Sequence, residues 1–267
     1  HNGSRGLGDV YKRQEFMLLA NKKVAEKMRK SKERFVYRVH DQPDQEKLKN
    51  LQTVVKRLGY NLKLSSNELN DSLNSLLKKA FGKNEQNLID TLMIRSMSKA
   101  EYTTKNIGHY GLSFENYTHF TSPIRRYPDV MVHRLIQAEI DGEKIKTDET
   151  ETLCKHSTHM EILATKAERD SVKLMQIKFM KDKEGKTFDA VISGVVARGV
   201  FVEVIENKCE GLVKAKDLPG DFYVHDEKNH RFVGEKTGKK YQLGDKTRVM
   251  LIKADQIKKR LDFQVLT

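Results

Sequence analysis

Residues 108–134 read GHYGLSFENYTHFTSPIRRYPDVMVHR, and they interrupt an otherwise helical rhythm. The stretch belongs to a long polar loop, 101–128, rich in Gly, Pro, Tyr, His, Thr, Ser and Arg. Loops of that length and chemistry inside a folded region are commonly functional. The loop puts Arg125, Arg126 and Arg134 beside the hydroxyls of Tyr117, Thr118, Thr121 and Ser122. Guanidinium forks grip phosphate oxygens bidentately, and hydroxyls donate to the same backbone. Tyr110, Phe120 and Tyr127 are of the type that stacks on bases, and His109, His119 and His133 add hydrogen-bonding groups. Composition alone leaves two readings open: a phosphodiester site, or a polar loop whose arginines pair with nearby carboxylates.

On either side of the loop the period is helical. Met17, Ala20, Val24 and Met28 form one apolar face, which predicts a helix over 15–30. Phe35, Tyr37 and Val39 alternate with charged residues and predict a short strand. A helix through Leu48, Leu51, Val54, Val55 and Leu58 stops at Gly59. Ser65 and Glu68 have the spacing of a capping box before Leu69, Leu73, Leu76 and Leu77, and another helix runs through Leu88, Leu92 and Met93. Helix resumes near Asp129, and a long helix is expected over roughly 149–182. From residue 185 the period changes to two. Strands over 188–193, 200–205, 211–213, 247–254 and 260–266 fit a small five-stranded barrel of the OB type. The insertion 221–240 reads as a solvated loop. The first fourteen residues have no apolar period and read as foreign, an expression scar or an assembly artefact.

The formal net charge of +13 over 267 residues argues for a polyanionic partner. Residues 1–63 carry +9, residues 185–267 carry +4, and 64–184 balance. No stretch approaches the ~20 apolar residues of a spanning helix, which disfavours a membrane partner. Cys154 and Cys209 lie far apart and no CxxC occurs, so there is no zinc signature. Reduced thiols in a cytoplasmic, monomeric protein are the expectation.

The central string is similar to the signature of the catalytic (RNB) domain in the ribonuclease II and ribonuclease R family. The resemblance extends through EFMLLAN (15–21), FVYRVHDQP (35–43), LGY (58–60), IRSMSKAEY (94–102) and AERD (167–170). It implies hydrolysis of single-stranded RNA from the 3′ end, release of nucleoside 5′-monophosphates, and use of magnesium. It places Arg125 at the scissile phosphate and Glu168 near the RNA 3′ end, both as catalytic residues, and sets Glu15 on the channel wall. Tyr117, Ser122, Arg126, Tyr127, Arg134 and His109 match neighbouring motif positions that contact RNA. Asp129 and His133 match further positions. GVVARGVFVEV (194–204) and EGLVKAKDL (210–218) resemble an S1-type RNA-binding domain. Its contact residues are Phe188, Arg198, Phe201 and Lys214. Lys214 stands where that family often has histidine, and Arg198 where it often has an aromatic. The strand spacing leaves open whether Phe188 and Phe201 point outward to stack or inward to the core.

The family's metal-holding aspartate cluster has no counterpart in this sequence. The acidic stretch Asp141, Glu143, Asp148, Glu149 and Glu151 reads as a helix–helix connection and a helix N-terminus, where carboxylates favour the dipole. His156 and His159, at i and i+3, lack a third ligand. The expectation is an α+β chain without its own metal site. Residues 15–183 would be the largely helical C-terminal part of an RNB domain, packing on a sheet from elsewhere and exposing an apolar face. Residues 185–267 would be an S1-type barrel. Function is then that of an exoribonuclease fragment inactive by itself, or of a non-catalytic RNA-binding adaptor. A helical DNA-binding protein fits the charge but not the loop.

Overall fold

The computed structural model describes residues 3–30, 34–65, 68–83, 85–143 and 148–266. The chain forms two compact units, His1–Asp44 with Met97–Thr165, and Gln45–Ser96 with Lys166–Thr267.

The first unit holds helix α1 (Gly3–Met28), strands β1 (Tyr37–His40) and β2 (Ala100–Thr103), helix α5 (Tyr127–Asp141) and the start of α6 (Thr150–Met180). Helix α1 begins at Gly3, well before residue 15. Strand β2 lies in what the sequence suggests is the start of the loop. It pairs antiparallel with β1, with Arg38 opposite Tyr102. The core is built from Ala25, Met28, Phe35, Val36, Val39 and Tyr102 together with Met131, Val132, Leu135 and Cys154. Pro128 sits in the first turn of α5, where its missing N–H costs no helical hydrogen bond.

The second unit holds α2 (Gln45–Arg57), α3 (Leu69–Ala80), α4 (Gln86–Ser96), the end of α6 and all remaining strands. The expected capping box does not form. Glu68 is the N-cap without a side-chain cap bond, and its N–H goes to the Ser65 carbonyl. The hydroxyl that engages this turn is that of Ser72, which accepts the Lys63 N–H at 2.9 Å.

The barrel closes in the order β10-β5-β4-β3-β9. Its strands are β3 (Thr187–Val196), β4 (Gly199–Val204), β5 (Glu210–Lys214), β9 (Lys246–Asp255) and β10 (Arg260–Val265). Ala190, Ile192, Val200, Val202, Val204, Val213, Val249, Leu251, Leu261 and Phe263 fill it. Closure needs two glycines. A Cβ on Gly199 (φ +149) would run into the Val213 carbonyl, and one on Gly211 into the Leu261 carbonyl and the Phe263 ring at 2.5 Å. Ile177 and Met180 of α6 join the barrel core. Lys173 Nζ donates to the Glu210 carbonyl and Gln176 to that of Lys208.

The insertion read as a solvated loop is a three-stranded antiparallel sheet: β6 (Tyr223–Asp226), β7 (Arg231–Gly234) and β8 (Lys240–Gln242). Tyr223, Phe232 and Tyr241 alternate inward and join the barrel core. Fully burying a ring such as Phe232 contributes roughly 1.5–3 kcal/mol. The lysines of the segment, Lys228, Lys236, Lys239 and Lys240, gave it the composition of a solvated loop.

Two helical stretches expose apolar side chains. In α1 these are Val10, Tyr11, Phe16 (70% exposed) and Leu19; in α6 they include Ile162, Leu163, Val172 and Met175. The sequence leads one to expect an exposed apolar face somewhere in residues 15–183, without saying on which helix. Among the described residues no helix is long and apolar enough to cross a membrane.

Candidate nucleic-acid interface

In the first unit, residues 104–126 return along the free edge of β1. The Arg38 N–H donates to the Tyr117 carbonyl at 3.0 Å, and the His40 N–H to the Gly108 carbonyl at 3.1 Å. His40 pins the bend from both ring nitrogens: Nδ1 accepts the Gly111 N–H at 2.9 Å and Nε2 meets the Ser98 carbonyl at 2.8 Å. Asn21 of α1 clamps the loop twice. Its Nδ2 donates to the Tyr117 hydroxyl at 3.1 Å, and its Oδ1 accepts the Phe120 N–H at 3.0 Å.

The arginine turn that follows is organised by one buried carboxylate. Asp129 is fully buried, and its Oδ1 accepts the Ser122 N–H at 2.7 Å and Nη2 of Arg126 at 2.8 Å. Arg125 and Arg126 donate their N–H groups to the Ser122 carbonyl. The two adjacent arginines therefore differ in kind. Arg126 is held inward, while Arg125 is exposed, beside the fully exposed Ile124. Tyr127 and Arg134 are exposed as well.

Two hydroxyls of this stretch, those of Tyr117 and Thr118, lie in the interior. Tyr117 is 5% exposed, with its hydroxyl taken by Asn21, and the Thr118 hydroxyl donates to the Val36 carbonyl. The Ser122 contact is made by its backbone. His109 packs edge-on against Tyr117 at 5.3 Å. The Phe120 ring stacks on His133 at 4.2 Å, which occupies the face a base would use. Burial, reinforced by His40 and Arg38, pushes His109 down to about 4. Burial, reinforced by Arg126 and Arg38, pushes His119 down to about 3, and burial raises Tyr102, its hydrogen-bond partner, to about 12. These rings are uncharged near neutral pH, so the positive charge of the loop is that of Arg125, Arg126 and Lys105. Among the described residues, four buried polar atoms around the loop lack a protein partner: His109 Nδ1, the Tyr110 hydroxyl, Arg126 Nε and Asp129 Oδ2. Glu15 lies exposed on α1.

In the second unit, strand parity separates the two phenylalanines. Phe188 shares the strand parity of buried Ala190 and Ile192 and packs on the barrel core. Phe201 alternates with buried Val200 and Val202 and so lies on the outer face, opposite Leu212. Gly194 sits beneath its ring, 3.4 Å from where a Cβ would be. The Arg198 guanidinium lies 5.5 Å from the Phe201 centroid, and Lys214 pairs with Gly199 on the adjoining strand. A partly exposed aromatic ring flanked by cations on the β4–β5 face can stack a base and hold its phosphate. Glu168 lies exposed on α6 in this unit.

Residues 13–142 match the RNB domain and residues 181–266 the S1 RNA binding domain. The chain belongs to the RNB family. It is 40% identical over 257 residues to a ribonuclease R of Aquifex aeolicus, covering 95% of this chain and 36% of that protein. It is 32% identical over 267 residues to ribonuclease R of Escherichia coli, covering 95% of this chain and 33% of that protein. The chain thus spans about a third of these curated relatives. Among solved structures, RNase R of Mycoplasma genitalium in complex with ribose methylated single-stranded RNA superposes with a TM-score of 0.87 at 28% identity, over 95% of this chain and 41% of that one. Yeast Ssd1, a pseudonuclease, superposes with a TM-score of 0.65 at 25% identity, over 82% of this chain and 28% of that one.

The divalent cation that the RNB resemblance implies does not fit the described residues. Among them no three His, Cys, Asp or Glu side chains come together. Asp129 is committed to Ser122 and Arg126. Glu151, at the start of α6, accepts from Thr103 and Thr104, and Asp141 accepts from Gln137 at the end of α5. His156 and His159 are exposed on α6.

The RNB loop depends on residues that sequence reasoning did not single out. Asn21 had a visible signal, a lone amide between Met17 and Val24 on the apolar stripe of α1. Arg38 forms a bidentate pair with Glu161 at 2.6 and 3.1 Å and lies over the Tyr102 ring. No local pattern announces a partner 123 residues away.

Proposed function

We propose that this chain is part of a 3′→5′ exoribonuclease of the ribonuclease R type, acting on single-stranded RNA and releasing nucleoside 5′-monophosphates, and that it does not hydrolyse RNA by itself. Residues 15–183 are taken as the C-terminal part of the catalytic domain and residues 185–267 as the S1-type barrel. The observation that carries this reading is the split between the two arginines: Arg126 is bound to buried Asp129, whereas Arg125 is displayed to solvent on the turn they share. A guanidinium exposed on such a turn, without an ion pair among the described residues, suits a phosphate whose charge rises in the transition state. Arg134 and Tyr127 extend that surface. Phe201, with Arg198 and Lys214, would hold an upstream nucleotide by stacking and charge. Glu15 and Glu168 are assigned to the path of the RNA. Magnesium, if the intact protein held it, would supply Lewis acidity at the phosphate. The carboxylates that hold it would have to come from elsewhere, since the described residues offer no such set.

The alternative, a non-catalytic RNA-binding protein of the same family, is favoured by that same lack of a carboxylate set among the described residues. One experiment tests the main reading. Purified protein is given a 3′-exposed poly(A) oligonucleotide with magnesium, and binding and mononucleotide release are followed together. Binding without release is expected. Release that disappears in Arg125→Ala would mean that carboxylates described here as structural build a metal site.

A further inference from the structure

A basic cleft of about 740 Å³ opens in the second unit, away from the Phe201 face. Its walls are the α3–α4 turn, strand β8, the start of β9 and the end of β10, with Val191 of β3. Five cationic side chains line it: Lys83, Lys239, Lys240, Lys246 and Arg248. Asp245 is the carboxylate in its lining, with one oxygen taken by the Gln242 N–H at 2.9 Å, and Asp189 stands opposite Arg248 across the β3–β9 pair. Lys83 is tied to the Tyr60 hydroxyl at 3.0 Å, and Lys239 lies over the Tyr241 ring at 5.2 Å. Lys240, Lys246 and Arg248 are exposed and make no ion pair among the described residues.

We propose that this cleft is a second binding track for the sugar–phosphate backbone of single-stranded RNA, separate from the stacking face of the barrel. The proposal rests on the reading of this chain as an RNA binder. Lys246 and Arg248 project from the same face of β9, two residues and so about 7 Å apart. That spacing suits successive phosphates of an extended strand. The cleft offers cations without exposed aromatic rings, so it reads charge and not bases. The Phe201 face lies on β4–β5, the pair that OB-type barrels present to ligands, whereas the cleft uses β3 and β9 with the inserted sheet. RNA that occupies both would be held at two points of one compact unit, and the gain would be largest for strands long enough to reach both.

The test uses the full chain. The triple variant Lys240→Gln, Lys246→Gln, Arg248→Gln and the wild type are titrated with a short and a long fluorescein-labelled poly(A) over a range of salt. The long strand is expected to bind the variant about tenfold more weakly, with a salt slope shallower by about 2, because each neutralised phosphate contributes about 0.7. The short strand is expected to bind both proteins alike. Acetylation footprinting on the wild type is a second readout that needs no variant: saturating long RNA should protect Lys240 and Lys246. If the wild type binds RNA but the variant keeps the same affinity and slope, or the two lysines stay unprotected, the track does not exist while the RNA reading survives. If instead the variant loses only binding to poly-glutamate, the cleft serves an acidic protein segment and the proposal falls. If the wild type binds no RNA at all, the underlying reading fails with it.

Discussion

Asp129 and Arg126 meet at 2.8 Å through a carboxylate that has no solvent exposure and a guanidinium side chain that is 20% exposed. The pair turns Arg126 into a mount for the loop and leaves its neighbour Arg125 outside. Removing one partner of a buried ion pair strands the other, at a cost of about 3–5 kcal/mol. Asp129→Ala is therefore expected to lower stability by that order in urea unfolding, because the Ser122 N–H also loses its acceptor. Arg125→Ala, at an exposed position without such partners, should stay within about 0.5 kcal/mol of the wild type while RNA affinity drops. Equal stability losses in both variants would contradict the division of labour between the two arginines.

The neutral histidines behind the loop make the first unit acid-sensitive. His119 titrates at about 3 and His109 at about 4 in the folded chain, both pushed down first by burial. In the unfolded chain each titrates near 6.5. Between these values the unfolded state binds more protons, so stability is complete above about pH 6.5 and is lost as the pH falls toward 4. Urea midpoints measured stepwise across that window should fall. In His119→Gln the fall should be shallower by the share of that proton. An unchanged slope in the variant would place the acid sensitivity elsewhere.

Asn21 gives a test of how the loop is held. Its amide satisfies the Tyr117 hydroxyl and the Phe120 N–H from within a buried helix face. Asn21→Leu keeps the branched shape and removes both bonds, leaving the buried Tyr117 hydroxyl and the part-buried Phe120 N–H unpaired at about 1–3 kcal/mol each. Amide exchange at Phe120 should accelerate in the variant, while amides in the barrel are unaffected.

What could be read from the sequence and what could not divide along physical lines. The barrel strands were legible because period-two alternation of valines and isoleucines at 190–204 is enforced by a closed core. The inserted sheet was not, because Tyr223, Phe232 and Tyr241 stand singly among lysines and glycines, and only their packing on the barrel reveals the alternation. The arginine motif marked the loop, yet composition could not say which arginine pairs. That depended on Asp129, three residues on in sequence, being buried by α5. Tyr117 and Thr118 looked like donors because hydroxyls are polar, but β1 draws their backbone into the sheet edge and turns both side chains inward. The Arg38–Glu161 pair joins residues whose proximity is purely tertiary.

Strand parity in the barrel yields the last prediction. Phe188 and Phe201 are the same residue type on adjacent strands, one facing the core and one the outer surface. Phe201→Ala should weaken binding of single-stranded RNA by about 1–3 kcal/mol, the range for loss of one stacked base. It should leave the unfolding temperature nearly unchanged, since the ring packs mainly on Leu212, Gly194 and Arg198 at the surface. Phe188→Ala should do the reverse, because it opens space against the barrel core next to Val249. Its ring is only partly buried, so the loss should fall below the ~3–5 kcal/mol of a fully buried Phe→Ala. Fluorescence anisotropy and thermal unfolding on the two variants separate these effects. If Phe188→Ala lost RNA affinity at full stability, the inward face would be wrongly assigned, and the stacking surface would lie on β3 instead of β4.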